Sequence, residues 1–334
     1  MPEKLLELEN VSMAFGGGKT FLGPRRPPVR AVDGVTVDIS DGEIFGIVGE
    51  SGCGKSTLAK TILGVLRETG GTLRLEGREV SGVAPKQARV LRSDIQYVHQ
   101  DPGAALDPWW RVGASIDEAL LIAGVRDAGE RNARIDEMLE AVGLDPSFRA
   151  RYPHELSGGQ QRRIGLARIL VLCPKLVILD EPTAGLDLSV QATVLRLMRD
   201  LRAQLGLTYI FISHDLSVVE RMCDRVAIMY LGRVVELADT GRIFSAPAHP
   251  YTRALLRSAP RLETRDILRS EALEGDPPSP SNAPSGCAFR NRCDYAIEAC
   301  SHARPTLEPL DGSSHVVACH RWREIAVDAV PQEA

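Results

Sequence analysis

Apolar residues follow three rhythms along this chain, and each predicts a different element. From Leu5 to Val11 they alternate with polar residues, the period of a half-buried strand. The runs Ile44-Phe45-Gly46-Ile47-Val48 and Leu176-Val177-Ile178-Leu179 are continuous and of strand length, and Leu207–Ser213 also reads as a strand. Runs of that kind suit strands of a parallel sheet covered on both faces. From Val112 to about Val171 the spacing lengthens to a helical one, giving Ser115–Ala123, Glu130–Val142 and a long segment opening at Ser157. Strand and helix alternation returns from 175 to about 240, closing with Arg225–Tyr230 and Arg233–Leu237. Gly70-Gly71 and Gly77 read as turns, and the stiff polar stretch 274–280 as a connector. The class is α/β, with no internal repeat.

Chemistry concentrates where two apolar runs end. After Val48 comes Gly49-Glu50-Ser51-Gly52-Cys53-Gly54-Lys55-Ser56-Thr57, the G-x-x-x-x-G-K-[ST] phosphate loop between a strand and a helix. Its glycines turn successive N–H groups onto phosphates, and the helix adds its positive end. Lys55 reaches the β/γ-phosphates and the Ser56 hydroxyl ligates Mg²⁺. Cys53 occupies a free position as a small filler. After Leu179 come Asp180 and Glu181 at the carboxyl end of the predicted strand, where ligands of open α/β sheets collect. There Asp180 can hold Mg²⁺ and Glu181 can act on water.

Between these two motifs stands Leu156-Ser157-Gly158-Gly159-Gln160, with Ser157 a good N-cap for the helix that follows. A phosphate loop, LSGGQ and an acidic strand end in this order resemble the ATP-binding cassette (ABC) ATPases. The resemblance implies an ABC-type phosphate-loop core binding ATP and Mg²⁺, with a helical subdomain at about 112–171. It implies that Gly49, Ser51, Gly52, Gly54, Lys55, Ser56 and Thr57 contact the nucleotide, with Glu181 as the base that polarises the attacking water. Gln100, closing Ile95-Gln96-Tyr97-Val98-His99, takes the place of the glutamine that senses Mg²⁺ and water. His214 takes that of the histidine at the γ-phosphate. Phe15 aligns with the aromatic that stacks on adenine; the alternative is a strand-end core aromatic, and a basic insert over 16–30 follows it directly. Ala184-Gly185-Leu186-Asp187 departs from the usual Ser-Ala-Leu-Asp. In this family Ser157, Gly158, Gly159 and Gln160 cover the nucleotide of a second cassette, so the chain is expected to work as half of a dimer, with a copy or a paralogue.

Composition narrows the setting. The 334 residues suffice for a large ATPase domain, taken as 1–250, and a smaller extension, 251–334. A formal net charge of −4 argues against a nucleic-acid surface. No apolar run approaches the ~20 residues of a membrane span, and no signal segment is read at the N-terminus. The flanking stretches Gln100-Asp101-Pro102, Ala105-Leu106-Asp107-Pro108 and His249–Leu256 resemble the ATPase subunits of oligopeptide/dipeptide importers. That implies two transmembrane permease subunits, an extracytoplasmic solute-binding protein, and a peripheral location on the cytoplasmic face of the cell (inner) membrane. Relatives of that kind also move nickel complexes, opines or oligosaccharides. The contrasting class is a soluble ABC ATPase of DNA repair, chromosome structure or translation, whose inserted coiled coil or tandem cassette is not seen in this sequence.

The last fifth of the chain carries four of its seven cysteines, Cys287, Cys293, Cys300 and Cys319, spaced C-x5-C-x6-C-x18-C. This is not the paired C-x2-C of common zinc ribbons, and a reducing cytosol disfavours disulfides. Three readings stay open: iron–sulfur ligands, zinc ligands, or unmetallated packing cysteines. The importer resemblance implies the first, a 4Fe–4S cluster on four thiolates.

Overall fold

A computed structural model describes residues 3–16, 28–83, 94–99, 102–258, 275, 278–310 and 312–327. Gln100, Asp101 and residues 17–27 of the basic insert lie outside the described residues. In chain order the strands are β1 (Lys4–Phe15), β2 (Val29–Ser40), β3 (Ile44–Val48), β4 (Gly70–Leu75), β5 (Arg78–Glu79) and β6 (Ile95–Val98). They continue with β7 (Leu176–Asp180), β8 (Thr208–Ile212), β9 (Arg225–Tyr230), β10 (Arg233–Asp239), β11 (Glu308–Pro309) and β12 (Val316–Val317). The chain divides into two compact units, one of Met1–Gly82 with Phe211–Ala334 and one of Val83–Ile210.

In the first unit β1 pairs antiparallel with β2 and β4, and Leu8 sits opposite Val37 on one side and Leu73 on the other. The strand read over Leu5–Val11 is present, but its burial does not strictly alternate: the adjacent Leu5 and Leu6 are both buried, Leu8 and Val11 are buried three positions apart, and the strand runs on to Phe15 through irregularities after Leu8. Gly70-Gly71 is not the expected turn but the opening of β4. Gly71 has φ +85°, and a Cβ there would lie 2.3 Å from the carbonyl oxygen of Asn10, so close backbone approach at an irregularity of β1 demands the glycine. The turn falls at Glu76-Gly77, both at positive φ, closing the hairpin in which Leu75 faces Arg78.

Elsewhere in this unit β3 runs parallel to β9, all five of its residues buried, as its unbroken apolar run predicts. β10 returns antiparallel to β9, then pairs with β12, which pairs with β11. Residues near the C-terminus thereby extend the sheet that supports β3. Ala248, Val317 and Trp322 form a small core there, joined by Leu310 and Cys319. Its polar centre is Glu236, fully buried on β10. The carboxylate accepts from the N–H groups of Ala248 at 2.6 Å and His249 at 3.0 Å, and pairs with His315 Nε2 at 2.7 Å.

In the second unit β6 and β7 run parallel, Ile95 facing Leu176 and Val98 facing Leu179. The expected helices are Val112–Ala123, Ala128–Ala141 and Gly158–Leu170, packed on one another through Ile116, Leu120, Ile135, Leu139 and Ile164. Ser157 caps the third as expected. Its hydroxyl accepts from Gln160 N and the Gln160 side chain accepts from Ser157 N, a reciprocal box. Among the described residues no helix is long and apolar enough to cross a membrane.

Glu236→Ala is expected to destabilise the protein by about 3 kcal/mol, because two buried N–H groups and His315 lose their acceptor together. Urea unfolding would read this as a lower midpoint at unchanged slope, and a loss below about 1 kcal/mol would show that water replaces the carboxylate.

Candidate functional site

The phosphate loop belongs to the first unit and is shaped by what its backbone touches. A Cβ on Gly49 would lie 2.2 Å from the carbonyl oxygen of Met229, and one on Gly54 would lie 2.1 Å from that of Ala31. These glycines are steric necessities, since the loop rests directly on the ends of β9 and β2. Gly52 is different: an added Cβ meets open space, and the requirement is its φ of +79°. The helix Lys55–Ile62 starts from Gly54, itself at φ 107°. Lys55 is buried and its ammonium donates to the carbonyls of Gly49 at 2.6 Å and Glu50 at 2.9 Å. Ser51, Gly52 and Ser56 are exposed and Thr57 half-buried, so this stretch presents amides and hydroxyls outward. Cys53 is buried, and burial pushes its thiol up, as suits a filler.

His214 follows β8 and is exposed. It directly precedes Asp215, whose carboxylate caps the helix Leu216–Met222 by accepting from Ser217 N and Val218 N. Phe15, at the end of β1 opposite Val29, is 42% exposed, which removes the core-aromatic alternative.

In the second unit β7 delivers Asp180 at its end, and Glu181 follows at φ 50°. A non-glycine residue at positive φ is uncommon, and here it falls on the acid expected to act on water. The Asp180 carboxylate accepts from the hydroxyl of Tyr97. Sequence reasoning missed Tyr97. Its signal was register: β6 and β7 are parallel neighbours with Tyr97 facing Ile178, two residues before Asp180. Burial, reinforced by the Asp180 charge, raises the Tyr97 phenol well above its ordinary value, so the tyrosine stays a donor. The His99 ring packs edge-on against it, centroids 4.6 Å apart.

The signature residues open a helix of the same unit. Ser157, Gly159 and Gln160 line a cavity of about 320 Å³ with Gly143, Leu144, Asp145, Phe148 and Arg163. Nothing lies within 4 Å of a Cβ built on Gly158 or Gly159. Asp187 caps the helix Leu188–Leu205, and the N–H groups of Val190 and Ser189 with the Ser189 hydroxyl hold its carboxyl below the usual range.

The four C-terminal cysteines do converge. Cys287, Cys293, Cys300 and Cys319 line one small cavity with His249, Tyr295, His320 and Arg321, all as free thiols. Burial raises the thiol of Cys287, pushes that of Cys293 up to about 12 and that of Cys319 up to about 11. Among the described residues, however, no three His, Cys, Asp or Glu side chains are grouped to hold one metal ion. A tetrahedral zinc with Zn–S near 2.3 Å would need sulfurs about 3.8 Å apart. The zinc arrangement left open by the sequence is therefore not formed, and the expected metal site is present only as four thiols sharing a cavity.

Comparison with known proteins places these features. A family profile described as "ABC transporter" matches residues 32–184, and one described as "Oligopeptide/dipeptide transporter, C-terminal region" matches 235–300. The chain is 44% identical to the oligopeptide transport ATP-binding protein AppF of Bacillus subtilis (strain 168), over 96% of this chain and 98% of that one. It is 45% identical to the oligopeptide transport ATP-binding protein OppF of Escherichia coli (strain K12), over 94% and 95%. Its fold is similar to that of cbiO1 from Clostridium perfringens, part of the ABC transporter complex cbiONQ, with a TM-score of 0.63, 29% identity and coverage of 72% and 91%. It is also similar to the ATP-binding cassette MJ0796 in a dimeric post-hydrolysis state bound to ADP and Pi, with a TM-score of 0.59, 26% identity and coverage of 71% and 99%. A phosphate loop seated on backbone, an acidic strand end, a capped LSGGQ helix and near-full-length identity lead to one conclusion: this chain is an α/β ABC ATPase and belongs to the ATP-binding subunits of the oligopeptide/dipeptide transporter family.

Proposed function

We propose that this chain hydrolyses ATP to power import of di- and oligopeptides through two transmembrane permease subunits, with an extracytoplasmic solute-binding protein delivering the cargo. The observation that carries the reading is identity near 44% over 96% of the chain to an oligopeptide transport ATP-binding protein. The match of residues 235–300 to the C-terminal region of such transporters supports it independently of the ATPase core. The working assembly has a second ABC ATPase subunit, a copy or a paralogue, and sits peripherally on the cytoplasmic face of the membrane. Residues 1–250 form the ATPase domain, with a helical subdomain at about 112–171, and 251–334 the importer-type extension.

The roles follow from residue chemistry. The amides of Gly49, Ser51, Gly52, Gly54 and Thr57 cradle the phosphates, with Lys55 as their cation. Ser56, Asp180 and Gln100 hold Mg²⁺, directly or through water, which neutralises developing charge in phosphoryl transfer. The exposed ring of Phe15 stacks on the base. Glu181 takes the proton of the attacking water, and His214 donates toward the γ-phosphate. Ser157, Gly158, Gly159 and Gln160 present a helix N-terminus to the nucleotide of the second cassette.

Cys287, Cys293, Cys300 and Cys319 are the four thiols proposed to carry the 4Fe–4S cluster that the importer resemblance implies, and what supports the reading is that all four line one cavity. The cluster would cross-link four separate stretches of the extension and supply a redox-sensitive brace.

Three outcomes are expected. Uptake of a labelled tripeptide into vesicles carrying the chain with its permease and binding-protein partners should require ATP and compete with unlabelled peptide, whereas uptake of a nickel complex or oligosaccharide alone would reassign the cargo. Glu181→Gln should lower ATP turnover by about 10²–10⁴-fold while a dimer held by ATP accumulates on size exclusion; normal turnover would remove Glu181 from its role. Anaerobically purified protein should be brown with about four irons per chain, and Cys293→Ser should lose them. Colourless, iron-free protein would leave the cysteines as packing residues.

A further inference from the structure

The phosphate-loop motif leaves position 50 free, yet Glu50 is held from three directions. Its carboxylate receives both arms of the Arg292 guanidinium, Nη1 at 2.7 Å and Nη2 at 2.9 Å. Its N–H donates to the Tyr251 hydroxyl at 2.9 Å, and its carbonyl accepts from Lys55 at 2.9 Å. The Arg292 side chain is only 5% exposed. It lies in the turn Arg290–Arg292, between Cys287 and Cys293. Beneath it Phe289 packs on Tyr230 and Tyr251, ring centroids 5.3 Å away in each case.

The rest of the loop shows why this matters. Gly49 and Gly54 are pinned by backbone contact, and the buried Cys53 by the hydrogen bond its carbonyl accepts from Gly232 N at 2.7 Å, whereas Gly52 faces open space and Ser51 is exposed. Glu50 is gripped through its side chain as well as its backbone, and the grip comes from 201 and 242 positions further along the chain. A paired guanidinium–carboxylate contact fixes orientation as well as distance. The peptide whose carbonyl engages Lys55 is thus oriented by the cysteine-bearing extension.

We infer that Arg292, assisted by Tyr251, is a positioning residue for ATP binding: it clamps the phosphate loop through Glu50, so nucleotide affinity and the order of the cysteine turn are linked. The inference rests on the assignment of the loop to ATP but not on any metal at the cysteines. Linkage makes the effect reciprocal. If the turn favours the ATP-competent loop, ATP must favour the ordered turn by the same factor.

The test compares full-length variants by ATP–Mg²⁺ titration calorimetry and by hydrogen exchange over 285–295. Arg292→Ala should weaken ATP binding about 10-fold, and Arg292→Lys, which keeps the charge without the paired geometry, should fall between it and the parent. Glu50→Gln should weaken binding in the same sense, and combining it with Arg292→Ala should add little, since both remove one contact. Arg304→Ala, which breaks an exposed pair of the same extension with Asp33, should stay within about twofold of the parent. ATP should slow exchange in the turn of the parent protein but not of Arg292→Ala. The clamp is overturned by ATP affinity unchanged in Arg292→Ala, by additive effects of the two substitutions, or by an equal loss in Arg304→Ala. Should Arg292→Ala not fold, Glu50→Gln and the exchange measurement on the parent decide alone: unchanged affinity with ATP-independent exchange refutes the linkage.

Discussion

Close backbone approach around the phosphate loop is the constraint on which the first unit depends. Ala31, Gly54 and Gly232 meet so tightly that a Cβ on Gly54 or Gly232 would lie 2.1 Å or 2.9 Å from the Ala31 carbonyl oxygen. Hydrogen bonds close the same junction: Gly232 N donates to Cys53 O at 2.7 Å, and Asp33 N donates to Gly232 O at 2.9 Å. Three segments far apart in sequence, the start of β2, the loop after β3 and the β9–β10 turn, are thereby fixed at one point. The loop is held by atoms that cannot rotate away, which is the preorganisation an anion cradle of backbone amides needs.

From this junction β10 carries order to the C-terminal segment. Its residue Glu236 gathers the N–H groups of Ala248 and His249 and the ring of His315, setting where the helix Pro250–Ser258 begins. That helix holds Tyr251, whose hydroxyl returns to Glu50 in the loop. The path leaves the phosphate loop, runs through β9 and β10, and comes back to it through buried polar contacts. A buried carboxylate serves here because it can accept several bonds at once, which an apolar residue of equal size could not.

Much of this was legible in the sequence where the signal is local. Apolar runs gave β3 and β7, and Ser157 gave a capped helix start, because run length and capping are properties of neighbouring residues. Gly70-Gly71 misled because a glycine pair marks turns only on average; here the demand came from Asn10, about sixty positions away. Tyr97, Arg292 and Glu236 escaped notice for the same reason, each acting on a partner whose position depends on the finished sheet. The cysteines were readable as a group, whereas their spacing in three dimensions was not, since C-x5-C and C-x18-C leave the intervening turns undetermined.

The two sets of glycines separate two kinds of demand. At Gly49 and Gly54 a side chain would strike this chain's own backbone, so folding alone accounts for them. At Gly158 and Gly159 a side chain would meet nothing. This helix carries two such residues, caps itself with the reciprocal Ser157–Gln160 box and leaves its end exposed. The steric freedom at Gly158 and Gly159 leaves this helix N-terminus open, so the packing of the chain that carries them does not account for glycine at either position.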